Sequence, residues 1–150
     1  MKLKIIITVI CFVCCNVGFA QNKIFEKYAD QDNITYVHIS KAMFQMMPAM
    51  ETTAGLNMGN MKGKIESLSV LSTENADRIS DIKKDLSKIN TNGYEELMKI
   101  KDSGVNTVFY ALKEGEKIKD ILMIVNSNKS VTLIQLLGNF TLSDIQKMTE

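Results

Sequence analysis

Two apolar segments lie near the C-terminus, and the rest of the chain is expected to pack onto them. Residues 118–125 and 131–137 are rich in Ile, Val and Leu, and the polar residues 126–130 separate them. Apolar segments this short favour strands over helices, and the polar stretch between them is typical of a hairpin turn. Because both segments are apolar on both faces, we expect this hairpin at or near the centre of a sheet.

The rest of the chain alternates between helical and strand-like spacing of its apolar residues. Short turns around Gly104 and Gly115 make the last four strands an antiparallel meander. Because strands cluster late and helices mostly precede them, the pattern predicts an α+β fold, a mostly antiparallel sheet of about six strands with helices packed on it. Helices are predicted at residues 22–29, 41–47, 74–89 and 142–148, and strands at residues 34–39, 65–72, 94–101, 105–113, 118–125 and 131–137.

Polar side chains mark where two of these helices begin. Thr73 or Ser72 precedes the helix at residues 74–89, and a hydroxyl there can accept from a free amide of the first turn. Thr141 precedes the last helix, and Asp144 follows three residues later, as in a capping box. We therefore expect these residues to fix the two N-terminal helix ends.

The first twenty residues have the three parts of a secretory signal peptide. Lys2 and Lys4 give a charged start, residues 5–17 are almost entirely apolar, and Gly18 and Ala20 are small residues before a cleavage point. The apolar stretch is shorter than the ~20 residues that a membrane-spanning helix needs. The alternatives are a buried N-terminal helix and a lipoprotein anchor.

Cleavage is expected between Ala20 and Gln21, so that residues 21–150 form a single exported domain with no transmembrane anchor. All three cysteines lie before this point, which leaves the exported chain without a disulfide, a thiolate metal site or a cysteine nucleophile. The whole chain carries 18 basic and 17 acidic residues, and losing two lysines with the signal leaves a net charge of −1. That charge excludes a strongly basic nucleic-acid-binding domain.

Methionines are concentrated in one part of the chain, where three interpretations are open. Core packing is one, because methionine fills irregular interiors readily. An adaptable apolar surface for a partner or a lipid-like ligand is the second. The third is a Cu(I) site, because thioethers are soft ligands and Met58 and Met61 stand close together. The methionines concerned are Met43, Met46, Met47, Met50, Met58 and Met61.

His38 is the only histidine, so any Ser-His-Asp arrangement must use it. On the strand at residues 34–39, its side chain points the same way as that of Ser40, and Asp30 or Asp32 stands at the preceding turn. The sequence contains no nucleophile elbow. A structural role for His38 is therefore favoured, and a small hydrolase remains an alternative.

The carboxylates are scattered, and none forms a recognisable catalytic pair. Asp77, Asp81 and Asp85 follow one another at intervals of four, as on a solvated helix face. Asp120 is unusual because it stands inside a predicted inner strand, and we expect it on the polar side of that strand's start. Gly59 and Gly63 do not have the spacing of a phosphate loop, so no cofactor is expected.

Four segments, at residues 25–28, 37–48, 65–74 and 120–145, together resemble an uncharacterised family of small exported bacterial proteins, the domain-of-unknown-function family numbered 4252. The resemblance covers residues 23–148, and its most recognisable pieces are Ile-Ser-Lys-x-Met at residues 39–43 and Gly-x-Phe at residues 138–140. It implies export in a Gram-negative cell, to the periplasm or beyond. It brings no catalytic residues.

These observations favour an exported, non-catalytic module that binds an envelope protein or an apolar small ligand. The signal peptide, the lack of catalytic motifs and the methionine-rich segment beside an apolar sheet support this interpretation. A copper-handling protein using Met58 and Met61 is the first alternative, and a hydrolase using His38 is the second.

Overall fold

A six-stranded, fully antiparallel sheet lies at the centre of the computed structural model, which describes residues 22–46, 63–88 and 93–146. Four helices accompany it in these ranges. This arrangement confirms the predicted α+β fold. The helices are α1 (Asn22–Ala29), α2 (Lys41–Met46), α3 (Ala76–Leu86) and α4 (Leu142–Gln146), and the strands are β1 (Thr35–Ser40), β2 (Ile65–Thr73), β3 (Tyr94–Asp102), β4 (Val105–Glu114), β5 (Lys117–Asn126) and β6 (Val131–Phe140).

The strands lie in the order β1-β2-β6-β5-β4-β3. After β2, the chain passes through α3 to the far edge and returns strand by strand as a meander until β6 meets β2. The hairpin of β5 and β6 therefore lies at the centre of the sheet, as its two-sided apolar pattern predicts. The edges are β1 and β3.

Tight turns hold the meander together. Ser103 and Gly104 join β3 to β4 with φ of 47° and 84°. Two successive positive φ values are those of a type I′ turn, whose twist matches that of paired strands. The sequence places a glycine where the larger positive φ occurs, because glycine has no Cβ to clash there.

One face of the sheet is covered by α1 and α3. Tyr28 of α1 and Ile82 of α3 are buried against Leu71 and Leu133 of the sheet. The two helices are also tied to each other, because the Lys27 ammonium and the Tyr28 hydroxyl both donate to Asp85 Oδ2, at 2.6 and 2.9 Å. Asp85 is therefore a helix-docking residue and not part of a solvated face.

Among the described residues, the opposite face is covered at one end only. Phe44 of α2 and Phe140 of β6 are buried there with Ile65, Ile118 and other residues of a second apolar cluster. The buried residue of α2 is Phe44, whereas the sequence pattern assigned the apolar stripe of this helix to its methionines. In the described part of the chain one short helix lies above the second cluster, which is smaller than the first.

Gly138 allows two chain segments to approach closely at this end. A Cβ at position 138 would collide with the Lys64 carbonyl oxygen and with the Phe140 ring. The same carbonyl accepts from the Asn139 amide at 2.9 Å. The Gly-x-Phe segment is thus a packing unit in which the aromatic ring lies over the bare glycine backbone.

The helix caps follow the predictions in one case and depart from them in the other. Thr141 and Asp144 form the expected capping box, since the Thr141 amide donates to Asp144 Oδ2 at 2.8 Å. The N-cap of α3 is Asn75, and the prediction of Thr73 or Ser72 is wrong. The Thr73 hydroxyl is used elsewhere, donating to the Asn33 carbonyl at 2.6 Å.

Candidate functional site

An apolar row runs across all six strands on the partly covered face. Paired residues on adjacent antiparallel strands lie side by side on the same face of a sheet. Following the register from β1 to β3 gives one uninterrupted line with no charged residue, which we call the open row. Its members are Val37, Val70, Ile134, Met123, Phe109 and Met98.

The open row is far more accessible than the row behind it. On the covered face, Leu71, Leu133, Ile124 and Val108 are paired in the same way, and their exposed fractions are 0, 0, 8 and 6%. In the open row the two end residues are each 46% exposed, and the four between them are half-buried. The difference arises because α1 and α3 lie on one face only.

Polar and apolar features border the open row on its two sides. The next row toward one sheet end contains four hydroxyl and two apolar side chains: Thr35, Ser72, Thr132, Val125, Thr107 and Ile100. Toward the other end stands α2, with Met43 and Met46 exposed by 46 and 79%. An apolar centre with a partly polar rim is the composition of protein contact surfaces.

The predicted methionine set is therefore divided. Met43 and Met46 project from α2 and do not pack into the core, so the core-packing interpretation is wrong for these two residues. Met47, Met50, Met58 and Met61 lie outside the described residues, as do Ala20 and Gln21. The Cu(I) site at Met58 and Met61 stays a prediction.

His38 lies on edge strand β1, but its hydrogen bond goes to Ser69 and not to Ser40. The distance from His38 Nδ1 to Ser69 Oγ is 3.0 Å, and the imidazole stacks on the Tyr36 ring. Ser69 is buried within β2. A hydroxyl and an imidazole at this distance are two parts of a nucleophilic site. Within the described ranges, the imidazole of His38 is hydrogen-bonded to Ser69, and no Asp or Glu side chain orients the ring.

Asp120 is buried, and its predicted place on the polar side of the strand is wrong. Its side chain is 1% exposed on the covered face, where Tyr94 Oη and Gln135 Nε2 donate to Asp120 Oδ2 at 2.6 and 2.5 Å. Asp120 Oδ1 and Gln135 Oε1 are buried without a hydrogen-bond partner. Burial raises the pKa of Asp120 to about 6, although the two hydrogen bonds oppose the shift.

The neighbouring tyrosine responds to the same environment. Burial, followed by the proximity of Asp120, raises the pKa of Tyr94. These three side chains join β3, β5 and β6 beneath the surface, and none of them is more than 6% exposed. They are placed to stabilise or destabilise the sheet with pH, and not to meet a substrate from solution.

A shallow polar cleft lies where β1, β2 and α3 meet. It encloses about 470 Å³ and is lined by residues 33–35 and 72–75. Two of its polar side chains already have hydrogen-bond partners. Asn75 Oδ1 accepts from the Asp77 and Arg78 amides, and the Thr73 hydroxyl donates to the Asn33 carbonyl. Among the described residues, no group of three His, Cys, Asp or Glu side chains is placed to hold a metal ion.

The open row was not apparent from the sequence, because it depends on strand register. Val70 and Met123 are far apart in the chain and meet only through β6. The nearest sequence signal is the two-sided apolar character of β5 and β6, which predicts cover on each face and does not show that one cover is partial. No helix in the described part of the chain has the length and apolar character needed to cross a bilayer.

The family model described as Domain of unknown function (DUF4252) matches residues 28–148. No curated protein and no solved structure matches the chain. The match begins at Tyr28, in the last part of α1, and takes in every strand of the sheet, including the two most recognisable pieces of the resemblance at residues 39–43 and 138–140. Because this match spans most of the sequence, the chain belongs to the DUF4252 family.

Proposed function

We propose that this protein is a non-catalytic binding module of the cell envelope, and that the open row is the surface with which it contacts another protein. The observation that carries the proposal is the contrast between the two sheet faces. One is covered by two helices, whereas the other presents an uncharged apolar line from edge to edge.

The size and chemistry of the surface support the proposal. The open row spans six strands ~4.8 Å apart and one side-chain spacing of ~7 Å, a projected apolar area of about 200 Å². The partly polar row beside it raises the contact area to about 400 Å². Apolar patches of roughly 300–600 Å² are the largest on most soluble monomers and are often functional. The exposed Met43 and Met46 on α2 extend the patch, and flexible thioethers suit adaptable contacts.

The proposal also includes export of the protein from the cytoplasm. Residues 1–20 act as the signal peptide, and cleavage before Gln21 releases the module outside the cytoplasm. A surface in the envelope meets proteins rather than nucleic acid, and the net charge of −1 agrees with that environment.

Photo-crosslinking from two neighbouring positions on β3 tests the contact surface. Met98 belongs to the open row, and Lys99 points to the opposite face. A photoreactive residue at each position, in the full exported chain, is irradiated in an envelope extract. We expect protein adducts from position 98 and none from position 99.

The two positions form a matched pair, since both are exposed and lie on the same edge strand. Equal adducts from both, or none from either, would contradict the proposal. Adducts from position 98 to lipid alone, detected by mass spectrometry, would assign the surface to an apolar small ligand instead.

A further inference from the structure

We propose that the protein bound at the open row is a second copy of this chain, packed sheet against sheet. This inference rests on the proposed function, because it identifies the partner of the same surface. It adds a symmetric dimer, in which each copy supplies the same face to the other.

The chemistry of the open row selects its partner. The line from Val37 to Met98 contains no charged side chain and no polar one, so it offers no electrostatic complement to a charged surface. Two sheet faces pack on each other at a separation of about 10 Å with interleaved side chains. The chain itself provides such a face.

The position of α2 limits how two copies can meet. This helix rises from one end of the face, above Ile39 and Leu68, so the surface has the shape of a step. A two-fold axis parallel to the strands would place both α2 helices at the same end of the contact, between the two sheets, and would hold the sheets apart. An axis across the strands places each α2 beyond the far end of the other sheet, where it clears the contact.

The area predicts how tightly the copies associate. A standard specific interface buries ~800 Å² on each partner. The open row and its neighbour offer about half of that, and Met43 and Met46 lie at the border where they add to it. We therefore expect a concentration-dependent dimer with a dissociation constant of about micromolar order, and not a permanent one.

Sedimentation of the purified chain tests the inference, with variants placed at both ends of the row. Val37→Asp and Met98→Asp each introduce a charge on an edge strand at a residue that is already 46% exposed, so both variants are expected to fold. Lys99→Asp is the control, because it adds an aspartate next to Met98 on the other face. Circular dichroism confirms the fold of each variant.

We expect the wild-type chain to dimerise and each open-row variant to weaken the dimer by about tenfold or more, since a charge is then buried in an apolar contact. The Lys99→Asp variant should associate like the wild type. A chain that stays monomeric to about 1 mM, or open-row variants that dimerise normally, would overturn the inference.

The crosslinking experiment separates failure of the dimer from failure of the proposed function. A monomeric chain whose position 98 still forms adducts with a different protein removes only the second copy as the partner. A monomeric chain without such adducts removes both proposals. Adducts of position 98 to the chain itself would support both.

Discussion

At the scale of single residues, Asp120 is the most consequential side chain of the interior. Burial makes the charged form of this carboxyl costly, and the hydrogen bonds from Tyr94 and Gln135 offset that cost only in part, since its second oxygen has no partner. The folded state therefore binds the Asp120 proton more tightly than the unfolded chain does. The stability of the folded state thus depends on pH.

Replacing Asp120 with Asn should remove this coupling. The folded pKa of about 6 exceeds the unfolded value of 3.8, so the stabilising contribution is complete below pH 3.8 and lost as pH rises through 6. The loss amounts to about 3 kcal/mol for a shift of this size. Urea denaturation between pH 4 and 8 should show the wild type losing stability relative to Asp120→Asn as pH rises. A constant difference between the two would contradict this account.

Asp144 should behave in the opposite direction and serves as the comparison. The hydrogen bond from Lys64, together with those from Thr141, lowers the pKa of Asp144 to about 2. Its contribution is present above pH 3.8 and disappears as pH falls toward 2. In the same series, Asp144→Asn should therefore differ most from the wild type at neutral pH and least near pH 2. Equal differences at both ends would count against the assigned contacts.

Gly138 gives a second prediction at this scale. Gly138→Ala should destabilise the fold by about 2–4 kcal/mol, because the new methyl group meets the Lys64 carbonyl and the Phe140 ring. Gly63→Ala is the control, since a Cβ there has nothing within 4 Å. Thermal denaturation compares the two variants. Similar losses of stability in the two variants would contradict the close approach of the Lys64 carbonyl and the Phe140 ring to Gly138.

At the scale of elements, local patterns in the sequence predicted most of the fold. The ten elements in the described ranges were predicted at nearly their observed positions, because the apolar spacing and the glycine turns act locally. The cap of α3 was missed because Thr73, Glu74 and Asn75 offer three adjacent polar side chains, and only the tertiary contact of Thr73 with Asn33 decides among them. The burial of Phe44 was missed because it too depends on tertiary contacts, those of the second apolar cluster.

The cap of α3 is directly testable. Asn75→Ala should cost about 1 kcal/mol of stability, because the amides of Asp77 and Arg78 lose their acceptor. Asn75→Asp keeps an acceptor oxygen at the N-terminal end of the helix and should leave stability nearly unchanged. Chemical denaturation distinguishes the two outcomes. An equal loss in both variants would mean that the side-chain acceptor does not set the start of α3.

At the scale of the whole molecule, the candidate site was not predictable from the sequence. The open row joins residues from six strands, and its accessibility depends on which helices lie above which face. Alternation along one strand indicates two faces, but it does not say which of them is left uncovered. His38 shows the same limit, since its contact with Ser69 comes from the register of β1 against β2.

Export is a prediction that belongs to this scale. The protein recovered from the envelope should begin at Gln21, since the small residues at Gly18 and Ala20 define the cleavage point. Intact-mass analysis checks this directly. A chain that retains its first twenty residues, or one that begins at a lipid-modified Cys14 or Cys15, would show that the signal-peptide interpretation is wrong.

The most direct test of the account measures whether the open row is covered when the protein is with its partner. A single thiol is introduced as Met123→Cys in the open row, or as Ser80→Cys on the exposed side of α3, in the chain of residues 21–150, which contains no native cysteine. Both thiols should react with a water-soluble reagent in dilute solution, and only the thiol at position 123 should become protected as the protein is concentrated. Unchanged reactivity at position 123, in concentrated protein and in envelope extract alike, would contradict the claim that this face is a contact surface.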